Sequence, residues 1–378
     1  MMSLPVNPKR LLILGVRGIP AAHGGFETFA EHLAVNLTAR GWEVTVYCQE
    51  EGGDKLFGPV VEDRWNGIRR LTIATSQTGP WATMIFDWAA IGHAVKEPGV
   101  ILVLGYNTAL FAARFRPSMR PVIMNMDGIE WMRAKWGLGA KLWFYLNEWA
   151  GALFSTKLVA DHPRIADHLA RCRRREDIAT IAYGSDAVME APEGSVRALG
   201  LEPGRYFISI GRVEPENSTL ELVRAFCADE RDSRFICLGK LEPATNRYHA
   251  AVVAAANDKV LFPGAIYDQS VVKALRYHAL AYCHGHTVGG TNPSLVEALG
   301  AGNAVIAHDN VFNRYVAGDE ALYFSDIDAC RKAFARAEQD GDWRARSRNA
   351  SRARHAECYT WEHIFGQYEQ LFGLYAGA

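Results

Sequence analysis

Among the seven cysteines of this 378-residue chain there is no C-x-x-C pair. They stand scattered at 48, 172, 227, 237, 283, 330 and 358. That spacing argues against zinc ribbons and thioredoxin-like redox sites and fits a reducing compartment. No 18 consecutive residues are apolar, so no membrane-spanning segment is expected. The apolar run nearest the N-terminus, "LLILGV" (11–16), is too short for a secretory signal, and a cytoplasmic location is expected. Neither charge dominates: 41 Lys and Arg face 42 Asp and Glu, which leaves no bulk electrostatic argument for nucleic acid. The fingerprint G-x-G-x-x-G is also missing, since Gly15 and Gly18 of "LGVRGIP" are three apart, and this argues against a dehydrogenase.

What is present is an ordinary globular composition, 49% hydrophobic and 22% charged, in a chain long enough for two domains of roughly 150–200 residues. The first half alternates apolar runs with amphipathic stretches. "LLILGV", "EVTVYC" (43–48), "GVILVLG" (99–105) and "RPVIMNMD" (120–127) read as strands. Phe26, Phe29, Ala30, Leu33 and Leu37 lie on one helical face closed by Gly41. A second unit begins near 205, with strands expected in "YFISIGRV" (206–213), "RFICLGK" (234–240), "KVLFPG" (259–264), "ALAYCHG" (279–285) and "NAVIAHD" (303–309). This is the grammar of doubly wound α/β sheets, whose ligands sit at the carboxyl ends of the strands. The stretch 189–204 is the expected linker. The domains are then 1–188 and 189–358, and two such domains facing one another would form a cleft.

The sharpest chemical signal is "HGHTVGGTNPSLVEALGAGNAVIAHD" (284–309). Asn292 suits an N-cap and Pro293 a first helical position, and the glycines before them let backbone approach a ligand. Free amides and the dipole at such a helix end favour an anion, with Glu297 one turn inside. A plain capped surface helix is the alternative. Arg212, just after a buried strand, suits bidentate contact with phosphate, or else pairs with Glu214 or Glu216. "GIPAAHGGFETFAEHLA" (18–34) hands from loop to helix at Gly24 and Gly25, a common way to hold a phosphate. Asp127 ends a strand, where a carboxylate could orient or deprotonate a hydroxyl, with Glu130 as second candidate; capping a following helix is the other reading of Asp127. Trp131, Arg133, Lys135, Trp136, Lys141, Trp143 and Trp149 mix tryptophan with cations, as at a membrane–water interface, or else pack inside the protein. "DID" (326–328) reads as a helix cap rather than a metal motif, and His284 and His286 lack a visible third ligand.

Taken together these stretches resemble glycosyltransferase family four, of GT-B fold, from end to end. "GIPAAHGGFETFAEHL", "DGIEWMRAKW", "GRVEPEN" and "VGGTNPSLVEAL" resemble its bacterial rhamnosyltransferase-like subgroup, which acts in capsule, exopolysaccharide or lipopolysaccharide assembly. The resemblance implies two facing Rossmann-like domains, the first binding acceptor and the second nucleotide sugar. It also implies that the terminal helix (359–378) packs back on the first. The implied reaction is retaining transfer of a deoxyhexose, L-rhamnose from dTDP-L-rhamnose, to a polyprenyl-diphosphate-linked saccharide at the inner membrane face. No metal or cofactor is needed.

By the same resemblance Gly24 and Gly25 touch the donor diphosphate and Arg212 neutralises it. Gly290, Thr291, Asn292 and Ser294 hold phosphate or sugar, and Glu297 binds the ribose. Two positions depart from the pattern. Gly289 stands where a Glu is usual, and Ser218 where a Lys is usual, so that Lys240 or Arg247 would supply the missing cation. A nucleotide-sugar epimerase or hydrolase of the same fold, or a non-catalytic nucleotide-sugar-binding subunit, are the rival readings.

Overall fold

In the computed structural model, which describes residues 9–21 and 24–376, the apolar runs become strands of two separate sheets. The chain divides into two units, Met1–Ala182 with Glu362–Ala378, and Tyr183–Trp361. The stretch 189–204 falls inside the second unit and carries the short helix Gly194–Ala198.

The first unit is built on β1 (Arg10–Leu14), β2 (Glu43–Glu51), β3 (Val60–Trp65), β4 (Ile68–Thr75), β5 (Val100–Leu104), β6 (Val122–Asn125), β7 (Lys157–Ala160) and β8 (Ile178–Thr180). Their order across the sheet is β3-β4-β2-β1-β5-β6-β7-β8. All pairings are parallel except β3 with β4. β5 is apolar at every position and wholly buried, as strands covered on both faces must be. β3 is the opposite, exposed almost throughout, and joins β4 through Asn66 and Gly67, both at positive φ. That dipeptide is the favoured two-residue hairpin turn.

Helix Trp361–Gly373 turns Phe365, Tyr368 and Phe372 inward. Phe365 and Tyr368 meet Phe29 at 6.2 and 5.1 Å between ring centroids, and Phe372 meets Trp42 at 5.9 Å. Arg40 ties this helix down through Glu369 and Glu362, each at 2.7 Å.

The second unit holds β9 (Tyr206–Ile210), β10 (Arg234–Leu238), β11 (Val260–Gly264), β12 (Ala281–His284), β13 (Val305–His308) and β14 (Leu322–Phe324), all parallel. Their order is β11-β10-β9-β12-β13-β14. Ranked by sequence this is 3-2-1-4-5-6, the dinucleotide-binding order, with the chain reversing its direction of travel between β9 and β12. Phe207, Phe226, Phe235 and Phe334 form an edge-to-face cluster beneath the sheet, Phe207 meeting Phe334 at 4.8 Å.

Candidate functional site

In an open α/β sheet a ligand binds beyond the carboxyl ends of the strands where the winding reverses. In the second unit those ends are the segments after β9 and β12. They are knitted together: Asn217 Nδ2 donates to the Arg212 carbonyl at 2.7 Å, and Thr287 gives both its amide and its hydroxyl to the Glu216 carbonyl at 2.9 Å. Gly285 is required there, because a Cβ would collide with the Asn217 carbonyl. The two loops therefore form one rigid rim.

Arg212 stands on this rim with its side chain 62% exposed, paired loosely with Glu214 at 3.5 Å. Lys240, just after β10, is likewise exposed and pairs with Glu242 at 2.9 Å. Arg247 is exposed at the first position of helix Arg247–Ala254. Exposed pairs of this kind are worth no more than about 1 kcal/mol, so an arriving anion can displace them.

Helix Pro293–Gly300 begins at the expected residue, Asn292 accepting the Ser294 amide at 3.0 Å. Ser294 is itself engaged within the fold. Its amide is committed to the cap. Its hydroxyl is committed to the fold, lying 2.6 Å from the Tyr282 hydroxyl, donating to the Ile210 carbonyl at 3.0 Å and accepting from Arg276 at 3.1 Å. Thr291 is buried beside half-buried Gly290. Glu297 keeps 32% of its side chain exposed but is ion-paired with Arg276, whose own side chain is 5% exposed. Arg276 was not visible as a site residue in sequence, because it sits on a different helix, Gln269–Tyr277, two elements away.

Behind the rim, the His284 ring is wholly buried and stacks on His286 at 4.3 Å with 4° between planes. Burial holds His284 well below the usual imidazole range, so it is neutral. Among the described residues no group of three or more His, Cys, Asp or Glu is placed to hold a metal ion. Asp326 caps helix Ile327–Gln339 by accepting the Ala329 amide at 2.8 Å.

In the first unit the winding reverses between β1 and β5. Gly15 follows β1 at φ 83°, where a Cβ would strike the Leu104 carbonyl. Helix Gly25–Ala39 starts from Gly24 at φ 88° with no side-chain cap. The Glu27 carboxylate folds back over Gly24 and accepts the Arg17 amide at 3.3 Å. An anion of the chain's own thus already lies at this helix end, a feature the sequence reading of Gly24 and Gly25 did not include.

Asp127 follows β6 at φ 49°, a left-handed conformation uncommon outside glycine, asparagine and aspartate. It caps no helix: the next turn, Glu130–Met132, begins from Ile129. A chain of contacts sets its position. Tyr368 Oη accepts from Asn125 Nδ2 at 3.0 Å, and Asn125 Oδ1 accepts the Asp127 amide at 2.9 Å. Burial first, and then the nearby Glu130 carboxylate, push the Asp127 carboxyl up to about 6.

Glu130 is engaged within the fold. Its two carboxylate oxygens are taken by Arg133 at 2.7 Å and Trp136 Nε1 at 3.0 Å, and its amide donates to the Tyr106 hydroxyl at 2.8 Å. A carboxylate bonded at both oxygens serves as a structural clamp and makes a poor base.

A family model described as "Domain of unknown function (DUF1972)" matches residues 8–186, and no curated protein matches the sequence. Among solved structures, sucrose-phosphate synthase from Thermosynechococcus elongatus is similar at TM-score 0.81 and 19% identity, over 98% of this chain and 100% of that one. The UDP-forming α,α-trehalose-phosphate synthase from Burkholderia xenovorans, in complex with glucose-6-phosphate, gives 0.72 at 15%, over 96% and 100%. HepE from Anabaena, in complex with UDP, gives 0.74 at 14%, over 97% and 99%. At these identities the likeness is one of architecture: the chain has the two-domain, Rossmann-like α/β fold of the GT-B glycosyltransferases.

Proposed function

We propose that the protein is a retaining glycosyltransferase. It moves a deoxyhexose, L-rhamnose from dTDP-L-rhamnose, to a polyprenyl-diphosphate-linked saccharide in the assembly of a bacterial surface polysaccharide. The observation that carries the reading is the rim between β9 and β12, with loosely tethered Arg212 at the reversal of the strand order. The UDP bound to HepE supports a nucleoside diphosphate as ligand. Thymidine and rhamnose rest on the motif resemblance.

In this reading Arg212, with Lys240 or Arg247 in place of the absent lysine at Ser218, stabilises the departing diphosphate. The backbone of Gly290 and Thr291 assists, and Glu297, oriented by Arg276, accepts the ribose hydroxyls. Asp127 orients or deprotonates the acceptor hydroxyl, which attacks from the face the diphosphate leaves. Gly24 and Gly25 contribute backbone to the diphosphate only once Glu27 swings away.

Calorimetry with dTDP tests the donor half. Arg212→Ala is expected to weaken binding by about 1.5–3 kcal/mol, the worth of a hydrogen bond to a charged group. Glu214→Gln, which frees Arg212 from its exposed partner, is expected to tighten it by no more than about fivefold. Unchanged affinity in Arg212→Ala would remove Arg212 from the site.

A further inference from the structure

Helix Leu138–Phe154 of the first unit breaks the rule that a surface helix shows water a polar face. Its exposed side chains are Leu138, Leu142, Tyr145, Leu146, Trp149 and Leu153, with Gly139 the one other exposed position. At 100° per residue the six span an arc of roughly 100°, a single stripe along the helix. The tryptophans around it divide. Trp131, Trp136 and Trp143 turn their indole N–H groups to Glu148, Glu130 and the Asn107 carbonyl, at 2.9, 3.0 and 2.8 Å. Trp149 stays exposed on the stripe. The only acid of the helix, Glu148, is buried and held by His168 and Trp131.

Along the chain on either side of the stripe, the exposed charge has one sign. From 109 to 157 the chain carries seven Lys and Arg against three carboxylates, and none of the three is exposed. Lys135 and Lys141 flank the N-terminal end of the stripe. Arg116 lies over the Phe154 ring at 5.1 Å at its C-terminal end. Next to it, Arg114 stacks on exposed Trp88 at 4.2 Å.

We infer that this face docks on an anionic phospholipid bilayer, the helix lying in the interface with its leucines and Trp149 among the acyl chains and its cations at the headgroups. An apolar stripe with an interfacial tryptophan and flanking Lys and Arg is the composition that such a surface takes up. A second copy of the chain fits poorly. A two-fold contact sets a patch against itself, and this one would bring Lys135, Lys141 and Arg116 toward their own counterparts, with no exposed carboxylate between 109 and 157 to meet them. The inference goes beyond sugar transfer and does not depend on it, since vesicle binding reads no catalysis.

The test is sedimentation with vesicles of phosphatidylglycerol and phosphatidylethanolamine, against vesicles of phosphatidylcholine alone. The wild-type chain is expected to pellet with the first and remain in solution with the second. Lys135→Glu/Lys141→Glu is expected to lower the partition at least about thirtyfold, the loss for removing two basic residues near an anionic surface, to which the two added carboxylates contribute repulsion. Leu142→Gln/Leu146→Gln, at exposed positions that leave the far-ultraviolet circular dichroism unchanged, is expected to lower it at least about tenfold. Wild-type chain left in the supernatant with both vesicles would overturn the inference, as would equal pelleting of the Lys variant. A vesicle-free dimer that the Leu variant dissolves would give the face to a second copy instead.

Discussion

Asp127→Asn is expected to lower sugar transfer by about 10²–10⁴-fold, the range for general-base assistance, with dTDP affinity little changed. The geometry makes this variant informative. Asn tolerates the left-handed backbone at φ 49° at least as well as Asp does, and its amide oxygen can still accept a hydrogen bond. The carboxyl is pushed up to about 6 by burial and by Glu130. A folded-state value above the unfolded one means that the fold favours the neutral form. The stability tied to this group is therefore full below about pH 4 and is lost as pH rises through about 6.

At pH 8 the wild-type chain carries that cost and Asp127→Asn does not. The variant is expected to be more stable there by about 1–3 kcal/mol, with the difference shrinking toward pH 4. Loss of transfer together with a gain in stability marks a strained group kept for function. The transfer rate of wild type should also fall below about pH 6 as Asp127 protonates. A variant that transfers at the wild-type rate would make Asp127 structural and direct the search to His162, buried at the start of helix Pro163–Leu169.

The second large effect is expected at Arg276. Its guanidinium meets Glu297 and Ser294, and its carbonyl accepts Asn303 Nδ2 at 2.7 Å. Arg276→Met leaves the Glu297 side chain two-thirds buried and without its partner. Removing one partner of a buried pair costs about 3–5 kcal/mol, and the remaining exposure of Glu297 puts the expected loss at about 2–4. Hydrogen exchange at helix Pro293–Gly300 in a urea series reads it locally, which matters in a two-unit chain where one global midpoint is ill-defined. Arg276→Met/Glu297→Gln should recover part of the loss, with a coupling of about 1–3 kcal/mol. Additive effects would mean that the pair is incidental and that Glu297 is oriented by something else.

The parts of this molecule legible in sequence are those whose signal is local. β1, β5, β9 and β12 are largely apolar runs closed by glycine, and the Asn292-Pro293 start of its helix is written in two adjacent residues. β7, β8 and β14 escaped because three or four residues carry no measurable period. β3 escaped because an exposed edge strand, Val-Val-Glu-Asp-Arg-Trp, has no buried face to reveal it, although Asn66-Gly67 was a turn signal in plain view. Among the candidate site residues, Arg212 and Asp127 could be singled out because each stands two positions past the end of a strand. Arg276, Asn125 and Tyr368 were not, since their roles arise from contacts across 21 and 243 positions of chain. The double role of the tryptophan stretch was also out of reach: its polar tethers, Glu148 and the Asn107 carbonyl, become visible only when the helix is folded.

One measurement bears most directly on the central claim: mass spectrometry of the purified protein incubated with dTDP-L-rhamnose, UDP-glucose and related donors, and a panel of polyprenyl-diphosphate-linked saccharides. The account predicts an acceptor heavier by one deoxyhexose, stoichiometric release of dTDP, and loss of both in Asp127→Asn. Transfer of another sugar from a UDP donor would keep the fold-level reading and overturn the choice of donor. Donor isomerised or hydrolysed with no acceptor modified, or dTDP held tightly with no turnover across the panel, would contradict the account. Gly289, at the place where a glutamate is usual, would then mark a chain that binds nucleotide sugars without transferring them.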